Sequence, residues 1–393
     1  MRKLGLYTFF FLLLPYGVAE VLAGFLYAYG IIEPTPSFFV FEESSKTVHF
    51  DPVLGYRFTP VPSRFTEITF GRPEFLASFS GNSQGFNAPY DFIPQRTDPD
   101  TFRIAVFGDS FTAAEYLSKS WPTVVEDLAR KDGPDLELLN FSISGAGLAN
   151  WWSILKGLVE AEDYDVDALL FAVFHGDLGR GFSVADHRNT DRHRFGRVPS
   201  WDPATWPQTL NEAQQYMEDL RGFVVDDDRY EQAINGDWNP DLPRPWKPYL
   251  SQWLLRLVKS VGKDEPIALQ KDAAPHREFN PGQLILIENI YDYASRNQLP
   301  VMVVRLPSRP ELLSRLPPPS DVGNFSEQLQ AMFVDGAQAF SDLSEAEVRA
   351  HWLPYDGHWA QKGSDRFAEF MYRQIEHWIR KTPRPQQEPK ISG

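Results

Sequence analysis

The chain has 393 residues, 42% of them hydrophobic, with 11 tryptophans and no cysteine. That is enough apolar material for one large or two modest globular units, and it excludes a disulfide framework, a thiolate metal site, a cysteine nucleophile and a lipid anchor on cysteine. The net charge of −15 argues against nucleic acid and against adhesion to anionic lipid headgroups.

The first element is an apolar run from Leu4 to Ile32, preceded by Arg2 and Lys3 and interrupted by one charge, Glu20. It is long enough to cross a bilayer and longer than the apolar core of a cleavable signal peptide, although "VLAG" at 21–24 offers a small-residue cleavage site. The reading favoured is an uncleaved transmembrane anchor over residues 1–32. The positive N-terminus stays in the cytoplasm, and the bulk of the chain lies outside a bacterial inner membrane, in the periplasm. Glu20 then marks an interfacial helix end or a helix–helix contact.

Residues 33–100, rich in Pro, Phe, Ser and Gly, predict an extended lead-in arm with a few short strands such as "RFTEITF". From 101 the pattern turns to α/β. The strand "FRIAVFG" is followed by the helix "WPTVVEDLARK", the strand "LELLNFS", the helix "ANWWSILKGLVEA" and the strand "VDALLFAVF". Strands apolar throughout, alternating with amphipathic helices, predict a parallel sheet covered on both faces. The rhythm breaks over 179–279, which reads as a long insertion carrying Trp201, Trp206, Trp238, Trp246 and Trp253, residues that suit either loop packing or stacking on sugar rings. It resumes over 280–381 with the helix "GQLILIENIYDYASRN", the strand "PVMVVRLP" and the helix "GSDRFAEFMYRQIEHWIRK"; residues 382–393 have tail composition.

Functional groups of open α/β sheets gather at the carboxyl ends of strands. Four segments stand there or just before the last helix: "GDS" (108–110), "SISGAG" (142–147), "FHGD" (174–177) and "YDGHW" (355–359). A serine nucleophile needs a base, an acid to orient it and oxyanion donors. Ser110, His358 and Asp356 supply the residue types, and the backbone N–H groups of Ser110 and Gly145 supply donors. Each segment also has a structural reading. Ser110 suits a helix N-cap, Gly145 a tight turn and Asp356 a cap of the last helix. No cofactor is called for. His187, His193 and His351 lack metal-ligand spacing, and Asp165, Asp167 and the run 225–230 read as solvated turns rather than calcium loops.

Taken in order, these segments resemble the SGNH/GDSL hydrolases, over residues 102–178 and 280–380. "DPVLGYRFTP" and "NSQGFNAP" resemble the lead-in of membrane-anchored members. The resemblance implies a flavodoxin-like three-layer α/β/α sandwich and metal-free serine-ester chemistry, hydrolytic or acyl-transferring. Small acyl esters, lipids or O-acetylated glycans are the substrates it implies. It makes Ser110 the nucleophile, Gly145 the oxyanion glycine, His358 the base and Asp356 the acid. Two departures matter. The acid stands two residues before the histidine rather than three, as in DxHW variants, with Tyr355 at the usual place. The third-block asparagine is replaced by Gly176, which has no side-chain donor, with His175 as a candidate substitute. This second departure supports an alternative, a catalytically impaired fold serving as a structural subunit of a larger membrane complex.

Overall fold

A computed structural model of the chain describes residues 14–28, 38–42, 48–51, 54–69, 72–180, 223–238, 279–314, 320–354 and 356–382. The central feature is a five-stranded parallel sheet made of β7 (Phe102–Phe107), β8 (Leu136–Asn140), β9 (Ala168–Val173), β11 (Val301–Arg305) and β12 (Met332–Asp335), in the spatial order β12-β11-β9-β7-β8. Counted from β7, that order is 2-1-3-4-5 read from the opposite edge, the doubly wound arrangement of flavodoxin type. Its switch point, where ligands bind, lies between β7 and β9 at their carboxyl ends.

Every residue of β7, β9 and β11 is buried, as the unbroken apolar runs require. One face packs Phe107, Phe141, Phe171 and Val303 against Trp151 and Ile154 of the helix Leu148–Ile154 and Ile290 of the helix Pro281–Arg296. The other packs Ile104, Val106, Leu170 and Val304 against Trp121 and Val125 of Trp121–Asp132 and Phe367 and Met371 of Gln361–Lys381. At about 1.5–3 kcal/mol per fully buried large apolar side chain, these two layers dominate the favourable side of folding. The fifth strand, β12, escapes the sequence reading because its run is four residues long and Phe333 is 44% exposed.

The N-terminal segment is more than the extended arm expected. β1 (Phe38–Glu42), β4 (Ser63–Thr69), β5 (Arg72–Pro73) and β6 (Ala77–Phe79) form a second sheet, completed by β10 (Phe223–Val225), which pairs parallel with β1. β2 (Val48–Asp51) and β3 (Gly55–Phe58) make a separate hairpin. The span read as a strandless insertion therefore contributes a strand. The run 225–230, expected as a solvated turn, is the end of β10 and the start of the helix Asp227–Asn235, capped by Asp226. Period-2 alternation divides the β1 side chains: Val40 packs with Ile68, Val225 and Tyr230 under that helix, while Phe41 turns to Phe65 and Tyr116 on the other face.

Asp165 and Asp167 are likewise not solvated turns. Arg96 pairs with Asp165 at 2.5 Å and with Asp167 at 2.9 Å, the side chains being 11%, 10% and 4% exposed respectively. The two carboxylates need this guanidinium because a buried charge must be paired. Residues missed as a pair are thus a clamp between the N-terminal segment and β9.

At the N-terminus the described helix is Leu14–Ala28, with Leu14, Val18, Val21 and Leu22 exposed. Among the described residues no helix is long and apolar enough to cross a membrane. The expected span over 4–32 lies partly outside them, as do Trp201, Trp206, Trp246, Trp253, His187, His193 and Tyr355 wholly. Trp238 packs edge-on to Phe223 at 5.9 Å, within the second sheet's region.

Candidate active site

The turn after β7 is built by its small residues. A Cβ on Gly108 would stand 2.5 Å from Thr112 Oγ1, so only glycine allows the chain to double back there. Asp109, buried, is the N-cap of the short helical turn Ser110–Ala113, its Oδ1 accepting from Phe111 N–H at 3.0 Å. The capping role thus falls to Asp109. Ser110 becomes the first helical residue, whose backbone N–H has no partner within the turn and whose hydroxyl is released for other work.

That hydroxyl lies 2.6 Å from His358 Nε2. On the far side of the ring, Nδ1 bonds to Asp356 Oδ1, which also accepts the His358 backbone N–H at 2.6 Å. Asp356 is not a helix cap: the last helix is entered through Ala360. The two-residue spacing works because the chain turns back on itself here. Trp352 and Trp359 form a β-bridge, and Leu353 N–H donates to His358 O at 2.9 Å. The imidazole is held between rings, Phe111 at 4.8 Å and Tyr116 at 5.1 Å.

Electrostatics follow from this packing. Burial alone would raise Asp356, but the hydrogen bonds and charge of His358 outweigh it and hold the carboxyl at about 2. Burial likewise works against the His358 charge, yet the hydrogen bond and charge of Asp356, with Asp109 and Glu115 beyond, raise it above its ordinary 6.5.

Ser110, Asp356 and His358 open onto a cavity of about 340 Å³ that Gly145, Ser144, Glu115, Arg180 and a set of aromatic rings also line. Gly145 has φ +75°, the left-handed conformation that glycine tolerates. The Gly145 turn is held by the Ser144 hydroxyl, which donates to the Glu115 carboxylate, and the Ser110 turn by Trp151 Nε1–H, which donates to Gly108 O at 3.1 Å. Glu115 is raised by burial, against the Ser144 hydrogen bond, and among the described residues its Oε2 has no partner. Gly176 has φ +91°, is exposed, and no atom of the described residues lies within 4 Å of where its Cβ would stand. Neither it nor His175 lines the cavity, the His175 ring lying 4.1 Å from Phe174. Asp177, next to it, is buried; Arg180 pairs with it at 2.9 Å and with Asp109 at 3.4 Å. Burial, then the Asp109 charge, push Asp177 well up. Among the described residues Arg180 is the one Arg or Lys lining the cavity.

The structure thus brings Ser110, His358, Asp356 and Gly145 together and leaves Gly176 outside. Sequence reasoning does not single out Tyr116, Glu115, Ser144 or Arg180. The first two follow Ser110 within six residues and Ser144 adjoins Gly145, which is a usable signal; Arg180 has none. Among the described residues no group of His, Asp and Glu side chains is arranged to hold a metal, and His351 hydrogen-bonds instead to Glu347 O.

Solved esterases and lipases resemble this chain. A psychrotrophic esterase, EstA, from a Pseudoalteromonas species is 13% identical, with 71% of this chain and 99% of that one covered and a TM-score of 0.33. A lipase/acylhydrolase from Enterococcus faecalis is 12% identical, covering 73% and 100%, at 0.35. A GDSL-like lipase from Bacteroides thetaiotaomicron is 10% identical, covering 73% and 93%, at 0.34. No family model matches the sequence, and no curated protein matches it.

Proposed function

We propose that this chain is a serine esterase or acyl transferase of the SGNH/GDSL type, anchored by its N-terminal helix and acting on an ester in the cell envelope. The observation that carries the reading is the continuous Ser110–His358–Asp356 hydrogen-bond chain opening onto one cavity with Gly145. His358 takes the Ser110 proton as Oγ attacks the acyl carbonyl, and Asp356 stabilises the imidazolium that forms. The N–H groups of Ser110 and Gly145 serve the oxyanion. His358 then returns its proton to the departing alcohol, and water or a second hydroxyl takes the acyl group from Ser110. A missing side-chain donor costs about 10²–10³ in turnover, roughly 3–4 kcal/mol.

The exposed apolar side chains of Leu14, Val18, Val21 and Leu22 support the anchor; resistance of the full chain to alkaline carbonate extraction from native membranes is the corresponding measurement. The second reading, a structural subunit of a membrane complex, is favoured by Gly176. Fluorophosphonate labelling of the detergent-solubilised chain tests both. Labelling that disappears in Ser110→Ala supports the esterase reading; an unlabelled but folded wild type favours the structural one.

A further inference from the structure

The cavity has an aromatic wall that comes mainly from outside the parallel sheet and touches the relay only at Tyr116. Phe65 of β4 stacks on Phe41 of β1 at 5.5 Å and meets Phe75 edge-on at 5.5 Å. Phe75 lies 5.6 Å from Tyr116, which lies 5.1 Å from His358. Phe39, 39% exposed, stands at the mouth, 6.5 Å from Phe65. Phe39, Phe65, Phe75 and Tyr116 all line the same cavity as Ser110. The rings form a path from solvent to the histidine, two of them on the second sheet and Phe75 on the connection between its strands β5 and β6.

The aromatic path is open at one end and meets the relay at the other. Rings used only to pack two layers together would be covered throughout, as Phe107, Phe141 and Phe171 are. The volume sets a second bound. At about 340 Å³ the cavity lies at the small end of ligand sites, which run from about 300 to 1,000 Å³. That space suits one ring rather than a long acyl chain. Flat aromatic faces favour a planar or ring-shaped partner laid against them.

We infer that the second sheet completes the substrate site: Phe39, Phe65, Phe75 and Tyr116 bind a ring-sized apolar group of the ester whose carbonyl is attacked by Ser110. This rests on the esterase reading, and it makes the N-terminal segment a specificity element. The ring can belong to the acyl part or to the alcohol part, and both present the same chemistry to the wall.

The experiment compares kcat/KM of the full detergent-solubilised chain on ethyl acetate, benzyl acetate and ethyl phenylacetate. The wild type is expected to prefer one of the two ring-bearing esters over ethyl acetate by about ten- to hundredfold. Phe75→Leu, which keeps apolar bulk but removes the ring, should collapse that ratio to within about threefold of one. A preference for benzyl acetate assigns the wall to the alcohol, and a preference for ethyl phenylacetate to the acyl group. Hydrolysis of all three at similar rates, or a ratio that survives in Phe75→Leu, overturns the inference while leaving the esterase reading intact. If no ester is turned over and Ser110 resists labelling, the esterase reading fails. Saturation-transfer NMR then decides the wall separately: benzyl acetate should bind the Ser110→Ala chain and release on adding Phe75→Leu, and its failure to bind overturns the inference.

Discussion

Asp356→Asn is the most informative single change, because its size can be worked out from the site. Asp356 is held at about 2 against an ordinary 3.8, which corresponds to roughly 2.4 kcal/mol in favour of its charged form. Its side chain is 17% exposed, so solvent screens little of this. Asparagine fills the space without the charge. His358 then loses the largest of the groups that raise it, while the burial that lowers it and the weaker charges of Asp109 and Glu115 remain. Activity needs neutral His358, so wild-type kcat/KM should rise with pH through a midpoint above 6.5, and the variant's midpoint should move down. The imidazolium of the transition state loses the same attraction, a rate loss of about fiftyfold at the plateau, growing towards about 10⁴ where the ring tautomer is also lost. Rates of fluorophosphonate labelling and of p-nitrophenyl acetate hydrolysis between about pH 5 and 9 read both effects. A midpoint that does not move, or a plateau within about fivefold of wild type in a folded variant, would refute the reasoning.

Further predictions concern the supports of the site. The relay pair has a definite pH window. The Asp356 contribution is complete above 3.8 and disappears as pH falls through about 2, and that of His358 is complete below 6.5 and disappears as pH rises through its raised value. Denaturation of wild type and Asp356→Asn should therefore differ most between about pH 4 and 6.5, with the gap closing below about pH 2 and narrowing, without vanishing, above the raised His358 value. Gly145→Ala forces a side chain into φ +75° and should cost about 1–2 kcal/mol by urea denaturation, with slower labelling of Ser110. Arg96→Met strands Asp165 and Asp167 without their cation and should cost about 3–5 kcal/mol. Glu115→Gln keeps an acceptor for the Ser144 hydroxyl and should label near the wild-type rate, whereas Glu115→Ala frees the Ser144–Gly145 turn and should label at least about tenfold more slowly.

Much of the central architecture is legible in the sequence, for a physical reason. "FRIAVF", "ALLFAV" and "VMVVR" are buried on both faces, so burial writes itself into them as unbroken apolar runs. Ser110, Gly145, His358 and Asp356 are legible as candidates because glycine and polar residues interrupt the pattern where these elements end. The second sheet is hard to read: β1 and β10 lie 180 residues apart, and a three-residue strand such as Phe223–Val225 carries no periodicity of its own. Charges mislead in a similar way. Asp165 and Asp167 look solvated because their partner, Arg96, sits about 70 positions earlier in the chain. Phe75 gains its place at the site only from tertiary packing, whereas Tyr116 is signalled only by its closeness to Ser110 in the chain.

The N-terminal third enters the main core as well as the cavity. Leu54, Phe58, Phe86 and Phe92 are buried with Phe107 and Phe141, and the Arg103 guanidinium is satisfied by the carbonyls of Ile93 and Pro94. Trimming the chain back to the first strand of the parallel sheet, the natural cut for anyone isolating a minimal catalytic unit, would strip four large apolar side chains from one layer. It would also remove two of the buried Arg103 guanidinium's acceptors, leaving it only Glu137 and the carbonyl of Asp165. The shortest piece that keeps this core therefore begins before Leu54, and a cut at β7 removes Phe39, Phe65 and Phe75 from the cavity together with the core.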